Sequence, residues 1–261
     1  MRPRFTDEIR SEGEAMKGWS KRRIAFVAVG AILVLFAGAY GVFAYVSGGG
    51  ADPVSISDVP TGGTAAGPSG STSSASGSAA TFDGDFDGAW ALVAGESFVG
   101  YRVREQLAFL PAPNDAVGRS SAVEGSLEIG GLQIVSTTVT ADLTQLQSDE
   151  SRRDFAIRMN GLQSDTYPTA TFELTEPITF DRQPAEGKVV DVEATGNLTL
   201  HGVTREVTFP LQARWDGGQI AVVGSLEIAF ADYDIVPPSL GPANVGDRGT
   251  IELQLVFVPS D

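Results

Sequence analysis

The chain contains no cysteine in its 261 residues. That excludes disulfides, thiolate nucleophiles, thiolate metal ligands and lipid attachment through a cysteine thiol. Histidine occurs once, at His201, so no transition-metal site can be assembled from histidines, and no metal or cofactor is expected. Lysine and arginine are missing from position 24 through position 101. Also missing are a Gly-x-Ser-x-Gly elbow, a His-Glu-x-x-His pair and a phosphate-binding loop. Carboxylates abound, yet no pair is marked as an acid/base couple. No catalytic residue is assigned, and a non-enzyme is expected.

What is present is unevenly distributed. Residues 1–23 carry seven of the eighteen basic residues, whereas from Trp90 onward eleven basic face twenty-four acidic residues. So acidic a region repels phosphate backbones and excludes nucleic acid as a partner. Between these regions, residues 24–46 hold no charge and are mostly Ala, Val, Ile, Leu, Phe and Gly. As a helix this run is roughly 34 Å long, enough for a hydrocarbon core of about 30 Å. Lipid leaves backbone amides no other partner, so an inserted run must be helical. Tyr40 and Tyr45 suit an interfacial aromatic belt, and Lys21-Arg22-Arg23 at the start places residues 1–23 in the cytoplasm. The stretch and its preceding segment are long for a cleaved signal peptide, so a retained single-pass anchor in the cell membrane is expected. Everything beyond it is then extracytoplasmic.

Residues 47–89 are rich in Gly, Ser, Thr and Ala. They offer too little apolar surface to fold alone and read as a flexible linker, with the 82–86 stretch able to begin docking to the domain beyond it.

From 90 to 261 the pattern has period two. Val190, Val192 and Ala194 alternate with acidic neighbours; Val207, Phe209, Leu211 and Ala213 share a face, as do Ile251, Leu253, Leu255 and Phe257. Shorter rows occur at Val99/Tyr101/Val103, Val123/Leu127/Ile129, Ala170/Phe172/Leu174 and Leu226/Ile228/Phe230. Gly130-Gly131, His201-Gly202 and Asp216-Gly217-Gly218 punctuate them. About eight strands with one wet and one apolar face describe an all-β, antiparallel domain. Periodicity alone leaves barrel and sandwich both open. Residues 149–163 depart from it: Phe155, Met159 and Leu162 fall at i, i+4 and i+7, predicting one short helix capped by Asp149 or Ser151. Within it, Asp154 and Arg158 have the spacing of an ion pair.

Three motifs in series carry a resemblance. They are Ser151-Arg152-Arg153-Asp154 with Arg158, then Tyr167-Pro168-Thr169-Ala170-Thr171-Phe172, then residues 196–205, which contain Leu200-His201-Gly202-Val203-Thr204-Arg205. Together they resemble the YceI-like, polyisoprenoid-binding family over residues 90–261. The resemblance implies a lipocalin-like, eight-stranded antiparallel barrel around an apolar cavity that holds an isoprenoid, a quinone or a similar amphiphilic lipid. Under it, Phe172, Leu174, Val192, Phe209, Leu211, Phe230 and Leu253 are the expected cavity lining. Arg153 and Arg158 are the candidates for a head group, with a salt-bridged helix surface as their other reading. Ala156-Ile157 stands where many relatives carry a histidine, and Phe230-Ala231-Asp232-Tyr233 lacks their basic residue, which favours a neutral head over a phosphate. His201 is read as a turn residue. The expectation is a membrane-anchored carrier or scavenger of such a lipid. The competing one is a structural or protein-interaction module of the envelope with a filled barrel.

Overall fold

Alternating inward and outward side chains give each strand one apolar face, and a single antiparallel sheet hides such faces completely by curling until its edges meet. The computed structural model describes residues 51–61, 86–107, 113–237 and 243–260. Its barrel has eight staves, three of them broken once. The first is β1 (Gly88–Leu92) with β2 (Phe98–Leu107), the second β3 (Asn114–Ser120) with β4 (Val123–Gly130), and the third β5 (Gln133–Asp142) with β6 (Gln147–Ser148). Then come β7 (Thr169–Leu174), β9 (Val189–Leu200), β10 (Val203–Trp215), β11 (Ile220–Ala229) and β13 (Arg248–Pro259). The short β8 (Ile178–Thr179) and β12 (Ala243–Val245) extend the edges of β5 and β2. Closure is made by β13, which pairs β11 on one side and both β1 and β2 on the other. The sheet is therefore a closed barrel, and the choice between barrel and sandwich is resolved.

Two of the breaks are stitched to the neighbouring strand by hydrogen bonds. In the first, Val93 N–H donates to the Val256 carbonyl at 2.8 Å, and the buried Ser97 hydroxyl oxygen accepts from Val256 N–H at 3.0 Å. In the second, the Ser120 hydroxyl donates to the Asp142 carbonyl at 2.8 Å. Between β9 and β10, His201 (φ 52°) and Gly202 (φ 76°) make the two-residue turn that the sequence announces, both in the left-handed region.

The two ends differ. One is plugged by Trp90, Leu127, Ile129, Ile220 and Phe257, with the Phe86 ring edge-on to Trp215 at 5.4 Å. The other, the mouth, is covered by α1 (Ser151–Ala156), which runs on as a wider π turn over Ile157–Gly161. The helix is where the periodicity puts it, but its faces are not. Of the predicted row Leu162 does line the cavity, but Phe155 and Met159 point to solvent, while Arg153, Ile157 and Gly161 face the interior. An i, i+4, i+8 row through a π turn turns inward the side that the i, i+4, i+7 spacing assigns to water. The cap is Glu150, whose carboxylate accepts from Arg152 N–H at 3.1 Å, instead of Asp149 or Ser151.

A second correction concerns the linker. Residues 51–61, inside the stretch predicted to be a free tether, lie packed on the outer wall of the barrel. Ile56 and Val59 are buried against Ala221, Val223 and Val256. Their carbonyls accept from the buried Arg214 guanidinium at 2.9 and 2.8 Å, and the Pro60 carbonyl accepts from Gln219 at 2.8 Å. Average composition conceals this, because two well-placed apolar residues and three satisfied carbonyls suffice to hold a short segment. Phe86 is buried too, so the ordered domain reaches upstream of Trp90. Among the described residues no helix is long and apolar enough to cross a membrane; residues 1–50, with the 24–46 run, lie outside them.

Candidate functional site

The inward rows do not fill the barrel. A cavity of about 110 Å3 lies under the mouth and another of about 120 Å3 lies deeper, and Val99, Ala170 and Ile251 line both. The two cavities therefore adjoin, one above the other. The lower part is lined by Phe172, Ala194, Leu198, Leu226 and their neighbours, with threonine hydroxyls as its few polar groups.

Aromatic rings shape its walls because glycines stand opposite them. A Cβ on Gly118 would lie 2.4 Å from Tyr101 Cε1, and one on Gly196 would lie 2.5 Å from Phe172 Cζ. The bare backbone lets each ring lie flat across the neighbouring strand and leaves the middle of the barrel open.

Charge enters at the mouth only. Glu105 continues the inward row of Val99, Tyr101 and Val103 on β2, and its carboxylate accepts from the Arg153 guanidinium at 2.7 Å. Both side chains are buried, at 5% and 11% exposure, which is unusual for charges and tolerated because they are paired. Asp149 and the Ser148 hydroxyl take further hydrogen bonds from Arg153. Burial works against the Arg153 charge, but these bonds outweigh it and hold the guanidinium protonated. Its Nε–H remains buried without a partner.

Beside it the Tyr101 hydroxyl is also buried and unpartnered. Burial pushes this phenol up to about 12. Ser148 lies near enough to moderate the rise, but its hydroxyl donates to Asp154 at 2.6 Å and already accepts from Glu150 and Arg153, so no hydrogen bond to Tyr101 forms. Two donors, Tyr101 Oη–H and Arg153 Nε–H, are thus buried without a partner on residues that line the upper cavity.

The candidate residues from the sequence fall in three places. Phe172, Phe209, Leu211 and Leu253 line the lower cavity and Phe230 the upper. Leu174 and Val192 pack instead around Ile178, Ala194 and Phe209 within the wall. Arg153 reaches the mouth. Arg158 does not: it is half exposed and pairs with Asp165 at 2.7 Å. The expected Asp154–Arg158 pair is absent, because Asp154 accepts from the Ser148 backbone N–H and hydroxyl. His201 lines neither cavity; its Nδ1 is 3.0 Å from the Tyr233 carbonyl and its ring lies 4.4 Å from that of Tyr167, a packed turn residue.

Tyr101 and Glu105 are site residues that the sequence pattern does not single out. A signal for Glu105 exists all the same: a carboxylate at the fourth position of an inward row has to meet a cation.

Comparison with known proteins agrees with this geometry. A UPF0312 protein of Vibrio parahaemolyticus is 30% identical over 139 residues, covering 50% of this chain and 69% of that protein. One from Pseudomonas aeruginosa is 34% identical over 113 residues, covering 41% of this chain and 54% of that protein. Among solved structures, a polyisoprenoid binding domain from Saccharophagus degradans superposes with a TM-score of 0.53 at 20% identity, over 66% of this chain and 98% of that one. The model of the YceI-like domain matches residues 90–257, and with the barrel and its hollow interior already described, the chain belongs to the YceI-like family.

Proposed function

We propose that this protein is a membrane-anchored, extracytoplasmic binding protein that takes up a long-chain isoprenoid, quinone or comparable amphiphile and carries or scavenges it. The observation that supports it best is the pair of adjoining apolar cavities inside a closed barrel, with charged groups at the mouth and none lining the lower cavity. A prenyl chain resting in a bilayer is already out of water. Transfer into an apolar barrel changes its hydrophobic free energy little, although exposure to water costs about 0.8 kcal/mol per methylene. Such a site loads and unloads readily, and its choice of ligand falls to the few polar groups at the entrance. The name of the Saccharophagus degradans domain assigns that protein a polyisoprenoid, the same chemical class.

The mouth favours an uncharged head. The Arg153 charge is already met by Glu105 and Asp149, so a phosphate would bring its own charge to a neutralised site. A carbonyl head brings an acceptor without a charge to a mouth that holds two idle donors, Tyr101 Oη–H and Arg153 Nε–H. The test is to extract the purified chain with organic solvent, analyse the extract by mass spectrometry, and titrate the delipidated protein with a prenyl quinone and a prenyl phosphate of equal length. Co-purified prenyl lipid and preference for the quinone are expected. An empty extract together with no quinone uptake removes the reading.

A further inference from the structure

The most exposed large apolar side chains among the described residues fall together. Ahead of Val189, Leu132 and Val135 elsewhere on the barrel, Val236 is 70% exposed, Phe155 65% and Met159 48%. All three belong to the segments that close the mouth. Phe155 and Met159 sit one turn apart on the helix whose Arg153, Ile157 and Gly161 face the cavity, and Val236 lies between the cavity-lining Ile235 and Pro237. The sites that lead into the apolar interior are thus ringed on the outside by apolar surface.

An independent observation bears on what that surface meets. The docked segment begins at Ala51, whose carbonyl accepts from the Arg102 guanidinium at 2.7 Å, while the Asp52 carbonyl accepts from Arg119. Arg102 stands on β2 between Tyr101 and Val103, which line the upper cavity. Along a strand, Arg102 is about 10 Å from Glu105 at the mouth. Val46, the end of the uncharged apolar run, precedes Ala51 by five residues, a reach of at most about 18 Å however the chain runs. The docked segment thus leaves only a few residues between the end of the apolar run and a fixed point on the barrel wall, where a free tether over residues 47–89 would leave more than forty.

We propose that the rim formed by Phe155, Met159 and Val236 is a bilayer-docking surface, so that the cavity opens onto the lipid from which it loads. The proposal rests on the anchored, lipid-binding reading above and adds an orientation to it. Three side chains of this size insert weakly alone, and the described basic residues on the helix are few: Arg152 is exposed, Arg158 is paired with Asp165 and Arg153 with Glu105. The short attachment supplies what the rim lacks by keeping its local concentration at the surface high.

Because the natural sequence has no cysteine, single thiols report single positions. The full chain carrying Met159→Cys, Val236→Cys or, as a control at the plugged end, Leu132→Cys is labelled with an environment-sensitive fluorophore and reconstituted into phosphatidylcholine–phosphatidylglycerol vesicles containing nitroxide lipid. Nitroxide quenching at positions 159 and 236 is expected to exceed that at 132 by about threefold or more. Equal quenching at all three positions in protein that resists alkaline extraction overturns the docking surface while leaving the anchor standing. Shielding of 159 and 236 from aqueous iodide without nitroxide quenching means protein covers the rim, and overturns it as well. Protein stripped by alkaline extraction refutes the anchored reading and the docking surface with it.

Discussion

The plugged end and the mouth of this barrel are built from similar residues put to opposite uses. At the plug, Trp90 and Phe257 are almost wholly buried and aromatic rings meet edge to face. At the mouth, comparable apolar mass is drawn back from the centre, where Gly118 makes room for Tyr101, and part of it faces outward at Phe155 and Val236. Packing density, more than composition, decides which end holds the fold together and which can take up a guest.

That contrast can be broken most severely at the plug. Trp90→Ala is expected to cost about 4 kcal/mol of stability, read by chemical denaturation, because it removes a buried indole and leaves a cavity. Quinone affinity of the protein that remains folded should stay near its natural value. At the mouth, Glu105→Ala leaves the Arg153 guanidinium buried with only Asp149 and Ser148 as partners, at a cost of about 3 kcal/mol; Glu105→Gln should recover much of it. Quinone binding should suffer in both, the reverse of the Trp90 result.

The raised Tyr101 phenol gives the mouth a signature in pH. A phenol that ionises at about 12 in the folded state, against 10.0 when free, favours folding fully below pH 10, where both states are protonated. Stability then declines between pH 10 and pH 12 as the unfolded chain ionises first, by up to roughly 3 kcal/mol. Tyr101→Phe should flatten that part of the alkaline denaturation curve, and it should also weaken quinone binding if the hydroxyl donates to the head. Ile251 lies at the junction of the two cavities, so Ile251→Trp sharpens the comparison from inside. A cost near 2 kcal/mol in stability is expected from the overpacked ring. Affinity for long prenyl quinones should fall tenfold or more, with short-chain analogues spared because they need only the upper cavity. Smallest of all, Phe155→Ser should change stability by less than about 0.5 kcal/mol, since the side chain is already in water.

Much of this was legible in the chain. The inward rows such as Val207/Phe209/Leu211 carry the barrel because period two permits only one assignment of faces, and the three motifs with their order supply the closure that periodicity leaves open. The wall residues Leu174 and Val192 share that period but not the cavity, since alternation tells which face a side chain takes and says nothing of how far the opposite wall stands. The helix misled because a π turn alters its repeat between Phe155 and Leu162. The docked 51–61 segment was hidden for a different reason. Its anchoring partners, Arg102, Arg119, Arg214 and Gln219, are distant in sequence and are recognised by carbonyl oxygens, which every residue has.

That docked segment bears on how the protein can be shed. With Pro60 held by Gln219 and Phe86 sunk into the plug, both ends of the stretch between them belong to one folded body. A protease that nicks this stretch divides the polypeptide yet leaves both pieces gripping each other through Arg214 and its two carbonyls. Under the anchored reading proposed above, freeing the barrel from residues 24–46 would require a cut before Ala51.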